Sequence, residues 1–258
     1  MRPLAIHPLA MRALFRRCYL VNFAVQPQAM RERLPPHLEP DIHAGRAWLS
    51  IVAAEMAGMR PAFLPAALGF DFTQVVYRAV VRCGAERGVA FLRSDADDRL
   101  MVAAGNVLTF FRFHHAAIAW DASPSRVGLA LAPSSGAPAR IDATFDRNVH
   151  GDEMPATSRF PDLATASPFL SELYTAFGAM RADGRVETVR IARTPWHSRV
   201  VGATGRFEAM HSGAVFGEGE AELDSAFEVE NLQYRWNRLS LERPAGGQRA
   251  SSQAPIDR

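Results

Sequence analysis

The stretch Phe70-Asp71-Phe72-Thr73-Gln74-Val75-Val76-Tyr77-Arg78-Ala79-Val80-Val81-Arg82-Cys83 reads as one long β-strand. Phe72, Gln74, Val76, Arg78 and Val80 fall on one face, because successive side chains of an extended chain point to opposite sides. Working outward, the same period of two recurs. Tyr19, Val21, Phe23 and Val25 share a face. Further strands are expected at Arg46 to Met56, Arg87 to Ser94, Thr109 to Trp120, Arg126 to Ala132 and Arg140 to Phe145, then at Arg185 to Ala192, Val200 to Met210 and Phe227 to Leu241. Short helices are expected from Pro27 to the Leu34-Pro35-Pro36 break, over Asp97 to Ala104, and over Ser167 to Phe177. In the last of these Ser167 would cap and Pro168 would take the first position. About nine or ten strands with two or three short helices define a mainly β (α+β) fold. The economical form is a curled, mostly antiparallel sheet, closed or nearly closed into a barrel or cone. Such a barrel either fills with side chains or keeps a cavity for one small ligand.

The chain has 258 residues and 48% apolar composition, enough to bury roughly 70% of its unfolded surface without disulfides or metals. Residues 17–243 are expected as a single β-barrel domain, 1–16 as an N-terminal arm or short helix, and 244–258 as a disordered tail of the composition PAGGQRASSQAPIDR. Cys18 and Cys83 are too few for a disulfide framework and read as core thiols. The net charge of +2, with arginines spread along the chain, does not suggest a nucleic-acid partner. No apolar run reaches the length of a membrane span, so no membrane partner is expected and a cytoplasmic location is the default. A homo-oligomer is compatible with the sequence.

All 29 Lys+Arg residues are arginine. No side chain can therefore form an imine through a lysine amine, which excludes Schiff-base chemistry on the chain itself. No CxxC, HxH or HExxH spacing is present, so no metal is expected. No cofactor is expected either.

The polar groups on the strands are the candidates. If the Arg78 face is internal, Arg78 is a buried cation that needs an anionic partner or ligand, with Gln74 two pleats away; if external, it is solvated. On the Thr109 to Trp120 strand, Arg112 and His114 share one face and His115 takes the other. One imidazole must then face inward, where it could move protons at neutral pH or be satisfied by a backbone carbonyl. Glu55 is a candidate counter-charge or a surface glutamate. In Arg193-Thr194-Pro195-Trp196-His197, Pro195 breaks a strand beside Trp196, an anchor or a ligand wall.

The order of these segments resembles the DUF2071 (YqjF-like) family of the acetoacetate decarboxylase-like superfamily. The resemblance runs from about Asn22 to Val201. It is carried by VNFAVQPQAMRERLPPHLEPDIHAGRAWLSIVAAEM, FTQVVYRAVVRC, GVAFLRSDADDRLMVAAGNVLTFFRFHHAAI, SPFLSELYTAF and RIARTPWHSRVV. It implies a barrel or cone of that superfamily around a small-molecule cavity. In the decarboxylase relatives a lysine pair forms and tunes an imine. Aligned on Gly105 and Ala116, that pair falls on Phe113 and His114, and the relatives' glutamate falls near Gln74. Arg193 stands where the family motif has His.

Two functional readings follow. In one, the cavity holds a carboxylate- or carbonyl-bearing molecule and runs a non-imine lyase, hydratase, isomerase or cyclase step, with Arg112 and His114 catalytic and Arg78, Gln74, Glu55 and Trp196 binding ligand. In the other, a binding or sensing module has kept the cavity and lost the chemistry. A third reading, a surface interaction protein, requires Arg78 and Arg112 to face solvent.

Overall fold

Val75-Val76-Tyr77-Arg78-Ala79-Val80-Val81 leaves no side of its pleat for water, since all seven side chains are buried. A strand covered on both faces reads as a near-continuous apolar run rather than a clean alternation. A computed structural model, which describes residues 8–149, 153–211 and 215–244, shows what covers the two faces.

The described residues form one thirteen-stranded sheet. Its middle is a wall of antiparallel neighbours in the order β12 (Ala221–Trp236), β1 (Met11–Val25), β3 (Ala47–Pro61), β4 (Phe70–Cys83), β5 (Glu86–Ala96). Both ends of the wall fork. On β5, Val89 and Ala90 pair with β9 (Thr175–Met180), while Ser94 to Ala96 pair with β6 (Phe113–Ala122). On β12, Arg199, Val200 and Val201 of β11 (Arg199–Phe207) pair with Glu228, Phe227 and Ala226, while Trp236, Arg235 and Tyr234 take β10 (Val186–Arg193).

Two closed rings share the wall as a result. The first runs through β6, β7 (Arg126–Pro133), β8 (Ile141–Asp146) and β11, the second through β9 and β10. β2 (Glu39–Pro40) and β13 (Ser240–Glu242) are short additions to β4 and β10. Each ring has its own core. Tyr19, Ile51, Val75 and Tyr77 pack in the first with Phe145 and Phe207. Phe15, Val52, Val76 and Val80 pack in the second with Phe111, Leu170 and Ile191.

Three helices lie among the described residues. α1 (Pro27–Arg33) starts on proline, whose missing N–H costs nothing in a first turn. α2 (Arg99–Leu108) is capped by Asp98, which accepts from Met101 N at 2.6 Å. α3 (Leu163–Leu170) is capped by Asp162, which accepts from Thr165 N at 2.7 Å.

Three local expectations are corrected. The Ser167 to Phe177 helix is displaced: Asp162 caps five residues earlier, Pro168 lies inside the last turns, and Phe177 is in β9 opposite Thr188 and Ala90. The Thr109 to Trp120 strand begins only at Phe113, because Arg112 is left-handed with φ 54° and breaks the extended run. β1 begins at Met11, inside the span expected as an arm, where Met11 and Arg12 already pair with β12 and β3. Residues 1–7 and 245–258 lie outside the described residues, and most of the expected tail with them.

Candidate functional site

Four wall strands bring buried polar groups into one row. Ser225, Asn22, Ser50 and Arg78 are register neighbours across β12, β1, β3 and β4. Ser50 Oγ donates to Asn22 Oδ1 at 2.7 Å, and Asn22 Nδ2 donates to Ser225 Oγ at 3.3 Å. The row lies on the face of the second ring, which encloses a cavity of about 190 Å³. Gln74, Val76 and Arg78 enter it from β4, Val52, Ala54 and Met56 from β3, and Tyr234 and Trp236 from β12. α2 contributes Met101, Ala104, Gly105 and Leu108, the segment after it Phe111, and the first residue of β6 Phe113.

The head of this cavity is cationic. Arg78 is 6% exposed and donates from Nη2 to Leu170 O at 2.9 Å. Its Nε–H is buried with no partner. Arg193, 9% exposed, donates from Nη2 to Ser171 O at 3.2 Å and lies over the rings of Tyr174 and Trp196, 4.7 and 4.8 Å from their centroids. Among the described residues, no carboxylate lies within 4.0 Å of either guanidinium. Leu170 O and Ser171 O lie at the C-terminal end of α3, the negative end of its dipole, and Arg193 Nη1 also donates to Thr194 O at 3.5 Å. Two further donors near Arg193 are buried and unpartnered, Trp196 Nε1 and Ser171 Oγ, and the Trp196 side chain is part of the cavity lining. Burial lowers the Arg78 pKa, with nearby Arg193 acting in the same direction and Tyr234 and Cys18 against it. Burial drives the phenol of Tyr234 up, partly countered by Arg78 and Arg193, so it is no base at neutral pH.

Arg78, Gln74 and Trp196 therefore line one cavity. Arg112, His114 and Glu55 are not among its lining residues, so the structure does not bring them together with Arg78 there. Phe113 points into the cavity, and adjacent strand residues face opposite ways, so His114 turns away, with Nδ1 3.3 Å from Ser94 O. His115 Nδ1 sits 2.6 Å from Ser134 Oγ, also outside the cavity. Arg112 is exposed. Glu55 pairs with Arg16 at 3.7 Å on the rim of the wall. Of the two positions that align with the relatives' lysine pair, the cavity-facing one is Phe113.

Sequence reasoning missed Tyr234, Trp236 and α2 as walls, and Arg193 as a second buried cation. Alternating aromatics on β12 were the available signal: Phe15 stacks on Tyr234 at 4.7 Å, and Trp236 lies 4.4 Å from Tyr234. Among the described residues, the cavity lining contains no Asp, Glu or His, and the chain has no Lys. No cluster of His, Cys, Asp and Glu suited to a metal occurs among the described residues. No helix among them is long and apolar enough to cross a membrane.

The large curled sheet is shared with solved structures of the acetoacetate decarboxylase-like fold. The acetoacetate decarboxylase of Legionella pneumophila superposes with a TM-score of 0.62, at 13% identity over 92% of this chain and 89% of that one. An acetoacetate decarboxylase-like enzyme from Sphingomonas wittichii RW1 gives 0.63, at 12% identity over 92% and 94%. The enduracididine biosynthesis enzyme MppR complexed with pyruvate gives 0.58, at 15% identity over 91% and 90%. Within that fold, the chain belongs to the DUF2071 family, described as "Uncharacterized conserved protein (COG2071)", whose model matches residues 12–227. It is also similar to "Uncharacterized protein YqjF" of Bacillus subtilis (strain 168), 29% identical over 102 residues. That match spans 39% of this chain and 41% of the relative, less than half of its length.

Proposed function

We propose that the chain binds a small carboxylate-bearing molecule at the head of the second-ring cavity, as a ligand-binding or sensing module and not as an imine-forming enzyme. One observation carries this reading: Arg78 is buried in the cavity wall with a free Nε–H and no carboxylate partner. Taking a cation out of water costs several kcal/mol unless an anion compensates it. The carbonyl of Leu170 compensates in part. An incoming carboxylate completes the set, because a guanidinium matches its geometry and a charge-assisted hydrogen bond is about twice as strong as a neutral one. Trp196, another lining residue, has its Nε1–H buried and unpartnered as well. A relative of the same fold holds pyruvate, a small keto acid, which agrees with this head group.

Binding is favoured over turnover by what the lining lacks. With no carboxylate or imidazole among the described lining residues and no lysine in the chain, no described side chain of the lining is suited to take a proton at neutral pH. A non-imine lyase, hydratase, isomerase or cyclase activity would need a base from the ligand or solvent. The test is a thermal-shift titration with pyruvate, lactate and acetoacetate on wild type and Arg78→Gln, with product analysis of the same mixtures. At 100 times Kd a ligand adds about 2.7 kcal/mol, which is roughly 5–10 °C in a chain of this size. The shift is expected in wild type and not in the variant, with no product formed. Equal behaviour of the two proteins would remove the arginine from the reading, and product formation would replace a binding module by an enzyme.

A further inference from the structure

The cavity's one charged lining residue among those described is Arg78, with Gln74 four residues along β4. Most of its walls are apolar, among them Met56, Phe91, Met101, Phe111, Phe113 and Trp236. A ligand consisting of a keto acid alone would leave most of this surface uncovered. Arg78 and Phe70 both line the cavity and lie eight residues apart on β4, up to about 27 Å of extended strand, so the cavity is an elongated slot running along the strand. The apolar surface does not stop at the mouth. Leu9, Phe70 and Leu108 line the cavity yet are 40%, 36% and 39% exposed, and Leu100 and Val107 of α2 are 72% and 68% exposed beside them. Large side chains left in water around one opening mark a site that meets apolar matter.

We propose that the ligand is a monocarboxylate with an apolar tail, the carboxylate at Arg78 and the tail running along β4 between α2 and β12 toward Phe70 and Leu108. This rests on the carboxylate reading above and extends it to a substrate class. The size of the tail follows from the volume. At about 30 Å³ per water-sized group, 190 Å³ takes roughly six heavy atoms, with any longer tail lying in the apolar mouth. A chain of about six to ten carbons or an aryl-propanoate fits. Lactate and pyruvate fill only the head. The exposed lip would let such a tail slide in from a micelle, a membrane surface or a carrier without first crossing polar surface.

Binding is read from the fluorescence of Trp196 and Trp236, both in the lining. The probes are the straight-chain acids from acetate to decanoate, 3-phenylpropanoate, and 1-octanol as the uncharged control, each on wild type, Arg78→Gln and Ala104→Leu. Each added methylene should tighten binding about fourfold until six to eight carbons, where the gain levels off. Ala104→Leu, which fills part of the slot from α2, should weaken octanoate at least tenfold and leave acetate within twofold. 3-Phenylpropanoate bound as tightly as octanoate assigns the slot to aryl tails, and ten times more weakly, to straight chains. Affinity that depends on Arg78 but is flat from acetate to octanoate would overturn the apolar tail and leave the carboxylate head standing. Octanol bound as tightly as octanoate, with Arg78→Gln without effect, would overturn both.

Discussion

Arg78 and Arg193 arrive at the end of α3 from different strands and donate to consecutive carbonyls, Leu170 O at 2.9 Å and Ser171 O at 3.2 Å. Two like charges held on one helix end, with no carboxylate beside them among the described residues, form an arrangement that folding alone does not favour. The negative end of the helix offsets part of the repulsion. The rings of Tyr174 and Trp196 offset more, because a cation over an aromatic face is worth about 0.5–2 kcal/mol. What remains is strain kept at a site, the usual signature of a group retained for a ligand.

The first prediction follows from that strain. Arg78→Met keeps the length and apolar stem of the side chain and removes the uncompensated charge. Replacing buried charge by an apolar side chain of similar volume is often neutral or stabilising by about 1–4 kcal/mol. Loss of the hydrogen bond to Leu170 O takes back about 1 kcal/mol. The ligand-free variant should thus unfold in guanidinium chloride at a higher midpoint than wild type, by about 1–2 kcal/mol, and should gain nothing from carboxylates. A variant less stable than wild type would mean that Arg78 is structural.

The first ring contains the opposite case, a buried charge that is fully paired. Glu228 is 2% exposed and accepts hydrogen bonds from Tyr19, Arg147 and Arg199. Burial opposes its ionisation, but these bonds outweigh burial and hold its pKa below the ordinary value. A depressed acid contributes stability above its unfolded pKa of about 4.3 and loses it as pH falls through the lower folded value. Glu228→Gln should therefore destabilise the chain by about 3 kcal/mol at pH 7, measured by urea unfolding. The difference from wild type should shrink as pH falls below about 4.3 toward the lower folded value. A gap that stays constant over that range would show that the carboxylate charge is not what stabilises the network.

How much of this was legible in the chain differs by residue. Arg78 could be placed on one face of a strand, and Trp196 beside a strand break, from local pattern alone. Which face lined a cavity could not, because β4 is covered on both sides and both faces of the Thr109 to Trp120 segment look apolar in sequence, although Ala117 and Ala119 face solvent. His114 was assigned to the cavity on that ambiguity, and it was Phe113 that pointed in. The forks at Ala90/Ser94 and at Glu228/Tyr234 depend on pairings between distant segments, so a single closed barrel was the most that alternation implied. The helix over Ser167 to Phe177 failed because Asp162 is a competent cap lying just upstream of the window considered.

The thiols test the shared wall. Cys18 is fully buried on β1, and burial pushes its thiol up to about 12, against the nearby Arg78 and Arg193. Cys83 is 2% exposed, and its pKa is raised by burial and by Glu86. A thiolate is the reactive form, so neither should react with a disulfide reagent at pH 8 in the native protein. Both should react at once in 6 M guanidinium chloride. One thiol reacting rapidly without denaturant would show that the wall opens on its cavity side or at the Cys83 end.

The last prediction concerns Gly105, the one glycine of α2. A Cβ at this position would meet Cγ, Cδ2 and Cε2 of the Phe113 ring well inside contact distance. The strand cannot step back to relieve this, because Asn106 clamps the Phe113 backbone at both ends: Phe113 N donates to Oδ1, and Nδ2 donates to Phe113 O, each at 2.8 Å. The ring must turn instead, and the ring lines the cavity. Gly105→Ala gains up to about 1 kcal/mol of helix propensity against an overpacking cost of about 1–3 kcal/mol. A net loss of roughly 1–2 kcal/mol follows, small enough to leave the fold intact. The slot loses volume next to α2 and not at Arg78. Octanoate should therefore bind at least tenfold more weakly to the variant, while acetate binds as it does to wild type. Equal losses for the two acids would mean that Phe113 supports the head of the site and not its tail.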